Sequence, residues 1–266
     1  EKREKEGVLP VSISPAFKQL RQNGLRMLLV AVLAALYLFP LVRIFSMSFM
    51  SASELYASAP SIFPKAFTLE NYRSIFQGNI PIFTFLKNTV IMALLITAVQ
   101  LAGSSITAYA LTGLDVPCKN LIFILILGGM MIPFESTMLA NYLFVAQNGL
   151  RNQYLGLILP FLLSPAGIFL MRQQFKSIPK EIYDAAAIDG CGPVRLFLRL
   201  LLPMSGNALA SLAILSMITA WNQYIWPLLV TDKNEMRTVQ VGISMLQGLE
   251  FSDYTLVMAG IVLVLL

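Results

Sequence analysis

Histidine is absent from this 266-residue sequence, cysteine occurs twice, and charged residues make up only 12% of it. Without imidazole, the commonest general base and the commonest zinc ligand are both missing. The two cysteines, Cys118 and Cys191, have no second Cys or His close by in sequence with which to hold a metal, so no metal site is expected. No paired-carboxylate arrangement suggests hydrolysis, and no GxxxxGK[ST] phosphate loop is present. The scarcity of charge is the broadest exclusion, because about a quarter of the residues of an ordinary soluble domain are charged.

What fills the chain is apolar: 57% of residues are hydrophobic and the mean hydropathy is +0.72. An integral, all-α membrane protein follows, since a bilayer-crossing helix needs about 20 mostly apolar residues. Apolar runs place spans at about 25–49, 85–111, 121–145, 154–171, 207–230 and from 254 onward. The sixth is still apolar at Leu266 and is expected to be truncated there. Pro40 is expected to kink the first span, with Arg43 snorkelling at its outer end. The first run is too long for a signal-peptide core and reads as a retained span behind a leader of residues 1–24. Neither an internal repeat nor a low-complexity segment stands out, so residues 25–266 read as one transmembrane domain.

The net charge of +5 does not require nucleic acid, because one side of a membrane protein normally collects basic residues. Twelve of the 19 Lys and Arg fall in the leader, at Arg26 just after it, at Lys119, or in the loop after span four (Arg172, Lys176, Lys180, Arg195, Arg199). The positive-inside rule makes that side the cytoplasm, with the N-terminus on it.

The loop of residues 172–206 contains IPKEIYDAAAIDGCGPVRLFLRLLLP from Ile178 to Pro203. Pro179 suits a first helical turn, and Glu181 and Asp184 complement the positive end of the helix dipole. Ala185, Ala186 and Ala187 favour helix and leave little bulk on its surface. Gly190 suits the left-handed residue that ends a helix. Val194, Phe197, Leu198 and Leu201 then recur at helical spacing up to Pro203. On the residues alone, this is either an interfacial helix pair under the membrane or a docking element for a soluble partner.

The same stretch resembles the signature loop of the membrane subunits of bacterial ATP-binding-cassette importers. That pattern is Glu-Ala-Ala, three residues, Gly, nine residues, an aliphatic, one residue, Leu-Pro. Asp184, Ala185 and Ala186 fill its first places, with Asp184 where Glu is usual; Gly190, Leu200, Leu202 and Pro203 complete it. The likeness is nearest to the second, maltose-type permease subunit of the carbohydrate and glycerol-phosphate class. It extends to Glu70-Asn71-Tyr72, Lys87-Asn88-Thr89, Ile132-Pro133, Gly156–Pro160 and AWNQYIWPLL from Ala220 to Leu229. Gln223, where Glu often stands, is like the glycerol-phosphate members.

The resemblance implies a coupling helix that docks on an ATPase through Glu181, Asp184, Ala185, Ala186, Ala187, Asp189, Gly190 and Pro203. It implies a non-enzymatic pore-forming subunit, working by alternating access in a bacterial inner membrane. Its partners would be an ATPase dimer, a second related permease subunit, an extracytoplasmic solute-binding protein and membrane lipid. The chain itself would bind no cofactor, ATP and magnesium being used by the ATPase. The competing class is an ATP-independent secondary transporter or channel, for which intramembrane charge pairs or inverted repeats would be expected.

Charges at membrane depth usually face a cavity or a partner. Glu135, after Pro133, reads either as lining a solute path or as a carboxylate at the outer interface. Asn222, Gln223 and Tyr224, between Trp221 and Trp226, read either as part of an aromatic belt or as a sugar-recognising lining. Gln100, Ser104, Ser105, Thr107 and Tyr109 are further path candidates, although small hydroxyl residues more often pack helices together.

Overall fold

The computed structural model describes residues 24–57, 61–78, 81–247 and 254–265. Lys2, Arg3, Lys5, Lys18 and Arg21 of the leader, and Leu266, lie outside those residues. The described residues form helices and connecting turns, with no strand among them. They divide into two compact units, 1–72 with 253–266, and 73–252.

In the first unit, α1 (Gly24–Ser48) runs unbroken through Pro40 and leaves its apolar side chains from Met27 to Phe45 largely exposed. That exposure suits a helix whose solvent is hydrocarbon. α14 (Tyr254–Leu265) packs along α1. Asn71, buried near the start of α3 (Glu70–Gln77), holds the end of α1: its Nδ2 donates to the Ser48 and Met50 carbonyls, both at 2.8 Å. Thr255 of α14 donates to Asn71 Oδ1. The Arg43 guanidinium donates to the Ser61 and Ile62 carbonyls of the following connector, at 2.8 and 3.0 Å. Within that connector, α2 (Ala52–Leu55) is capped by the Ser51 hydroxyl.

The second unit is built around α4 (Ile82–Gly113), whose 32 residues span about 48 Å, more than the hydrocarbon thickness. Two cores pack along it, one toward each end. At the first end, Met92, Ala93 and Ile96 pack with Val145, Leu157, Trp226 and Val230. At the other, Ala108 and Tyr109 pack with Met171, Phe175, Leu201 and Leu212.

The third, fourth and fifth apolar runs are not single rods. α5 (Lys119–Gly129) and α6 (Phe134–Gln147) meet at 92°, because Pro133 holds extended backbone (φ −65°, ψ 140°) after Gly128 and Gly129 end α5. Tyr154–Phe161 (α7) and Pro165–Ser177 (α8) meet at 54°. Pro165 forces Ser164 out of the helical region, and the Ser164 hydroxyl caps Gly167 N–H at 3.0 Å. Pro193–Met204 (α10) and Gly206–Trp221 (α11) meet at 78° around Ser205. Among the described residues, two helices are long and apolar enough to cross a bilayer, and up to five spans result if each bent pair counts as one. Hydropathy sums across a proline break that geometry resolves. The fifth run breaks again after Trp221, before α12 (Ile225–Val230), and α13 (Val239–Gln247) follows.

Candidate functional site: the α9–α10 element and the opposite end of α4

α9 (Lys180–Ile188) begins after Pro179 with Glu181 in its first turn. Gly190 ends it at φ +68°, the left-handed region that costs other residues about 1–2 kcal/mol. Gly190 N–H bonds the Ala187 carbonyl at 3.1 Å and Cys191 N–H bonds the Ala186 carbonyl at 2.8 Å, a paired closure of the helix end. Ile182, Tyr183 and Ala186 face inward; Glu181, Asp184, Ala185, Ala187, Ile188, Asp189 and Gly190 face outward. Ile188 is 86% exposed and Val194, at the start of α10, 71%. An outward face of small, apolar and acidic side chains on a two-helix corner is suited to docking.

Two tyrosines anchor this corner. Tyr183 Oη donates to the Phe175 carbonyl at 2.9 Å, tying α9 to the last turn of α8, and burial pushes its hydroxyl above the ordinary tyrosine range. Tyr109 Oη donates to the Pro193 carbonyl at 3.0 Å, and its ring stacks on Phe197 with centroids 5.1 Å apart. Phe197 opens a π-helical turn, Phe197–Leu201, in which Leu202 N–H reaches back five residues to the Phe197 carbonyl. Pro203, exposed, follows it and supplies no N–H to a regular ladder. Tyr109, set down from the sequence as a path candidate, is a strut. Its position in an apolar run gave no sign of that.

At the other end of α4, Asn88 is 1% exposed and fully used. Its Nδ2 donates to the Glu235 and Arg237 carbonyls at 2.8 and 3.0 Å, and its Oδ1 accepts from Tyr154 Oη at 2.7 Å. Thr89 Oγ1 accepts from Val239 N–H at 2.9 Å. Beside this clamp, Asp232 pairs with Arg151 at 2.9 Å and with the Asn152 side chain. The Asn152 hydrogen bond, then Arg151, holds the Asp232 carboxyl below the usual range.

The path candidates are only partly brought together. Phe134 and Trp226 pack edge to face at 5.8 Å, which sets Glu135 and the Asn222–Tyr224 break on flanks of one ring cluster. Glu135 is exposed, in the first turn of α6, with no hydrogen bond or ion pair among the described residues. Asn222 Nδ2 donates back to Ile218 of its own helix, and Tyr224 Oη meets Ser244 Oγ at 2.8 Å. Trp226 is no belt residue: it is 1% exposed, its Nε1 donating to the Gly156 carbonyl at 3.1 Å. Gly156 itself permits the close approach of the Leu150 backbone, since a Cβ there would overlap the Leu150 carbonyl oxygen. Gln100 is likewise structural, donating to the Phe161 carbonyl freed at the α7–α8 bend and accepting from Ser216, both at 2.7 Å. Ser104 and Ser105 are buried on the packed face of α4.

Residues 9–266 match the model of a family described as binding-protein-dependent transport system inner membrane component. The chain belongs to that family. Among curated members, it is 34% identical over 235 residues to the arabinooligosaccharides transport system permease protein AraQ of Halalkalibacterium halodurans, covering 88% of this chain and 84% of AraQ. It is also 34% identical over 247 residues to the sn-glycerol-3-phosphate transport system permease protein UgpE of Pectobacterium atrosepticum, covering 90% and 87%. The fold matches a chain of a bacterial ABC transporter involved in the import of the acidic polysaccharide alginate, with a TM-score of 0.80 at 23% identity, covering 93% of this chain and 92% of that one. As an inner membrane component of a transport system, this family member is a permease rather than an enzyme.

Proposed function

We propose that this permease forms part of the solute path of an ATP-driven importer, working by alternating access with its N-terminus in the cytoplasm. Residues 25–266 act as one transmembrane domain, 1–24 as a cytoplasmic leader. The observation that carries the reading is the α9–α10 corner, a rigidly capped two-helix element with an outward face of alanine, Ile188 and three carboxylates. It has the motif spacing and the exposed chemistry of a coupling helix. A separate ATPase dimer receives that face, hydrolysing ATP with magnesium, while a second permease subunit completes the pore and a solute-binding protein delivers cargo outside. Tyr109 and the Phe197 stack carry motion of the corner directly into α4, the longest helix of the unit.

The solute is a sugar or a sugar- or glycerol-phosphate-like molecule, and charge favours the neutral sugar. Lys and Arg are absent from 89–118, 120–150, 152–171 and 200–232, the membrane segments around the ring cluster, while Glu135 supplies a carboxylate that is unpaired among the described residues. A phosphate passing this wall would meet a negative charge and no counter-charge. Gln223 resembles the glycerol-phosphate members at one position, but an amide does not discriminate between a hydroxyl and a phosphate as a full charge does.

Co-expression of the permease with its ATPase and partner subunits tests the reading. Gly190→Asn, which tolerates left-handed backbone, should retain the ATPase on purification; Gly190→Pro should lose it together with transport. ATPase recovery and transport unaffected by Gly190→Pro would sink the proposal.

A further inference from the structure

Arg172, counted from the sequence with the basic loop after span four, lies in α8, which runs on to Ser177, and is only 5% exposed. Its guanidinium carbon sits 3.8 Å from the centroid of the Phe123 ring, a cation–π contact. Nη2 reaches Asn120 Oδ1 at 3.4 Å, a weak contact, and Nε has no partner. No carboxylate lies within ion-pair distance of it among the described residues. A guanidinium this deeply buried costs several kcal/mol unless an anion compensates it.

The guanidinium points at the first turn of α5, to which Asn120 belongs. That helix end has no side-chain cap: Cys118 stands at the cap position without a capping bond, and the first turn holds no acid. Free N–H groups and the helix dipole favour an anion there. Lys119 adds a second cation, its Nζ held near the turn by the Leu114 carbonyl at 3.3 Å. Immediately beyond this polar end, Leu121, Ile122 and Phe169 are exposed, with Phe169 stacked on Phe123. A phosphate on this end would therefore sit at the top of a hydrocarbon-facing surface.

We propose that the first turn of α5, with Lys119 and Arg172, binds the phosphate of an anionic phospholipid, whose acyl chains lie along Leu121, Ile122 and Phe169. The phosphate lies against the guanidinium's Asn120 side and offsets its charge, so lipid binding locks α5 against α8. This site is independent of the transported solute and of the ATPase face.

The test uses the assembled importer, reconstituted in equal parts of phosphatidylglycerol and phosphatidylcholine, extracted in mild detergent and weighed by native mass spectrometry. Wild-type complexes should retain one phosphatidylglycerol per copy of this chain in preference to phosphatidylcholine. Lys119→Gln and Arg172→Gln should each weaken that retention by about fivefold, the scale of one basic residue at a lipid surface. If Arg172→Gln fails to assemble, Lys119→Gln, outside the buried stack, carries the test. Undiminished retention in Lys119→Gln overturns the proposal. Equal retention of the two lipids, with inorganic phosphate binding instead, makes the site a free-anion site and overturns the lipid assignment. Loss of a protein subunit from Arg172→Gln complexes that keep their phosphatidylglycerol places a partner's carboxylate on Arg172 and likewise overturns it.

Discussion

The Tyr109 hydroxyl donates to the Pro193 carbonyl at 3.0 Å while its ring stacks on Phe197, so one side chain of α4 grips both the first residue of α10 and its π-helical turn. Tyr109→Phe removes the hydrogen bond and keeps the stack. A hydrogen bond of this kind is worth about 1 kcal/mol, so the stoichiometry of transport per ATP should fall by about fivefold at most while the complex still assembles. Tyr109→Ala removes both contacts and should abolish coupling. Transport and ATPase rates measured in the same proteoliposomes separate the two variants; identical coupling in Tyr109→Ala would refute the strut.

Asn88 makes an orthogonal prediction at the other end of the same helix. It presents two donors to backbone carbonyls and one acceptor to Tyr154. Asn88→Asp sets a carboxylate against the Glu235 and Arg237 carbonyl oxygens and should be worse than Asn88→Ala. The expected losses are roughly 2 kcal/mol for alanine and more for aspartate, lowering the melting temperature by about 5–10 °C. Thermal unfolding of the purified complex, followed by intrinsic fluorescence, reads the order.

The first and fourth helices were legible in the apolar runs, because a continuous hydrophobic stretch has few other uses. The bends at Pro133 and Ser164 were not, because a hydropathy window counts residues on both sides of a break as one span. The motif around Gly190 was legible because left-handed backbone, small residues and a proline stop each demand particular residue types. The roles of Asn71 and Asn88 were hidden in the Glu70-Asn71-Tyr72 and Lys87-Asn88-Thr89 likenesses: a buried amide clamp depends on carbonyls distant in sequence, 147 residues away in the case of Asn88 and Glu235. The burial of Arg172 was not legible, because a charge count cannot see Phe123 beneath the guanidinium.

Asp232 gives a pH dependence whose sign is fixed by its depressed carboxyl. Folding lowers that value, chiefly through Asn152 and then Arg151, so the stabilisation is fully present above the ordinary carboxylate value near 4 and disappears as pH falls through the folded value. Melting temperature should therefore decline on acidification in the wild type, and the Asp232→Asn variant should lack this component. The two curves should converge at low pH. Parallel curves across the range would show that the Arg151–Asp232–Asn152 knot contributes nothing in its ionised form.

Glu135 offers the sharpest test of what crosses the membrane. Its carboxylate is exposed at the 92° bend between α5 and α6, unpaired among the described residues, on the flank of the Phe134–Trp226 ring pair. If it faces the solute, it acts on charge and leaves neutral hydroxyls to the amides and rings around it. Glu135→Gln should then leave neutral-sugar transport within about twofold of wild type, while relieving rejection of phosphorylated or carboxylated solutes. A charge term of roughly 1–2 kcal/mol in a partly hydrated path corresponds to about tenfold in relative uptake. Glu135→Lys should move the preference further in the same direction. The comparison requires a constant supply of solute, so uptake is normalised to solute-binding-protein occupancy, measured separately for each compound. A neutral-to-anionic preference unchanged across Glu, Gln and Lys would place this side chain on the lipid-facing or interfacial surface and remove it from the path.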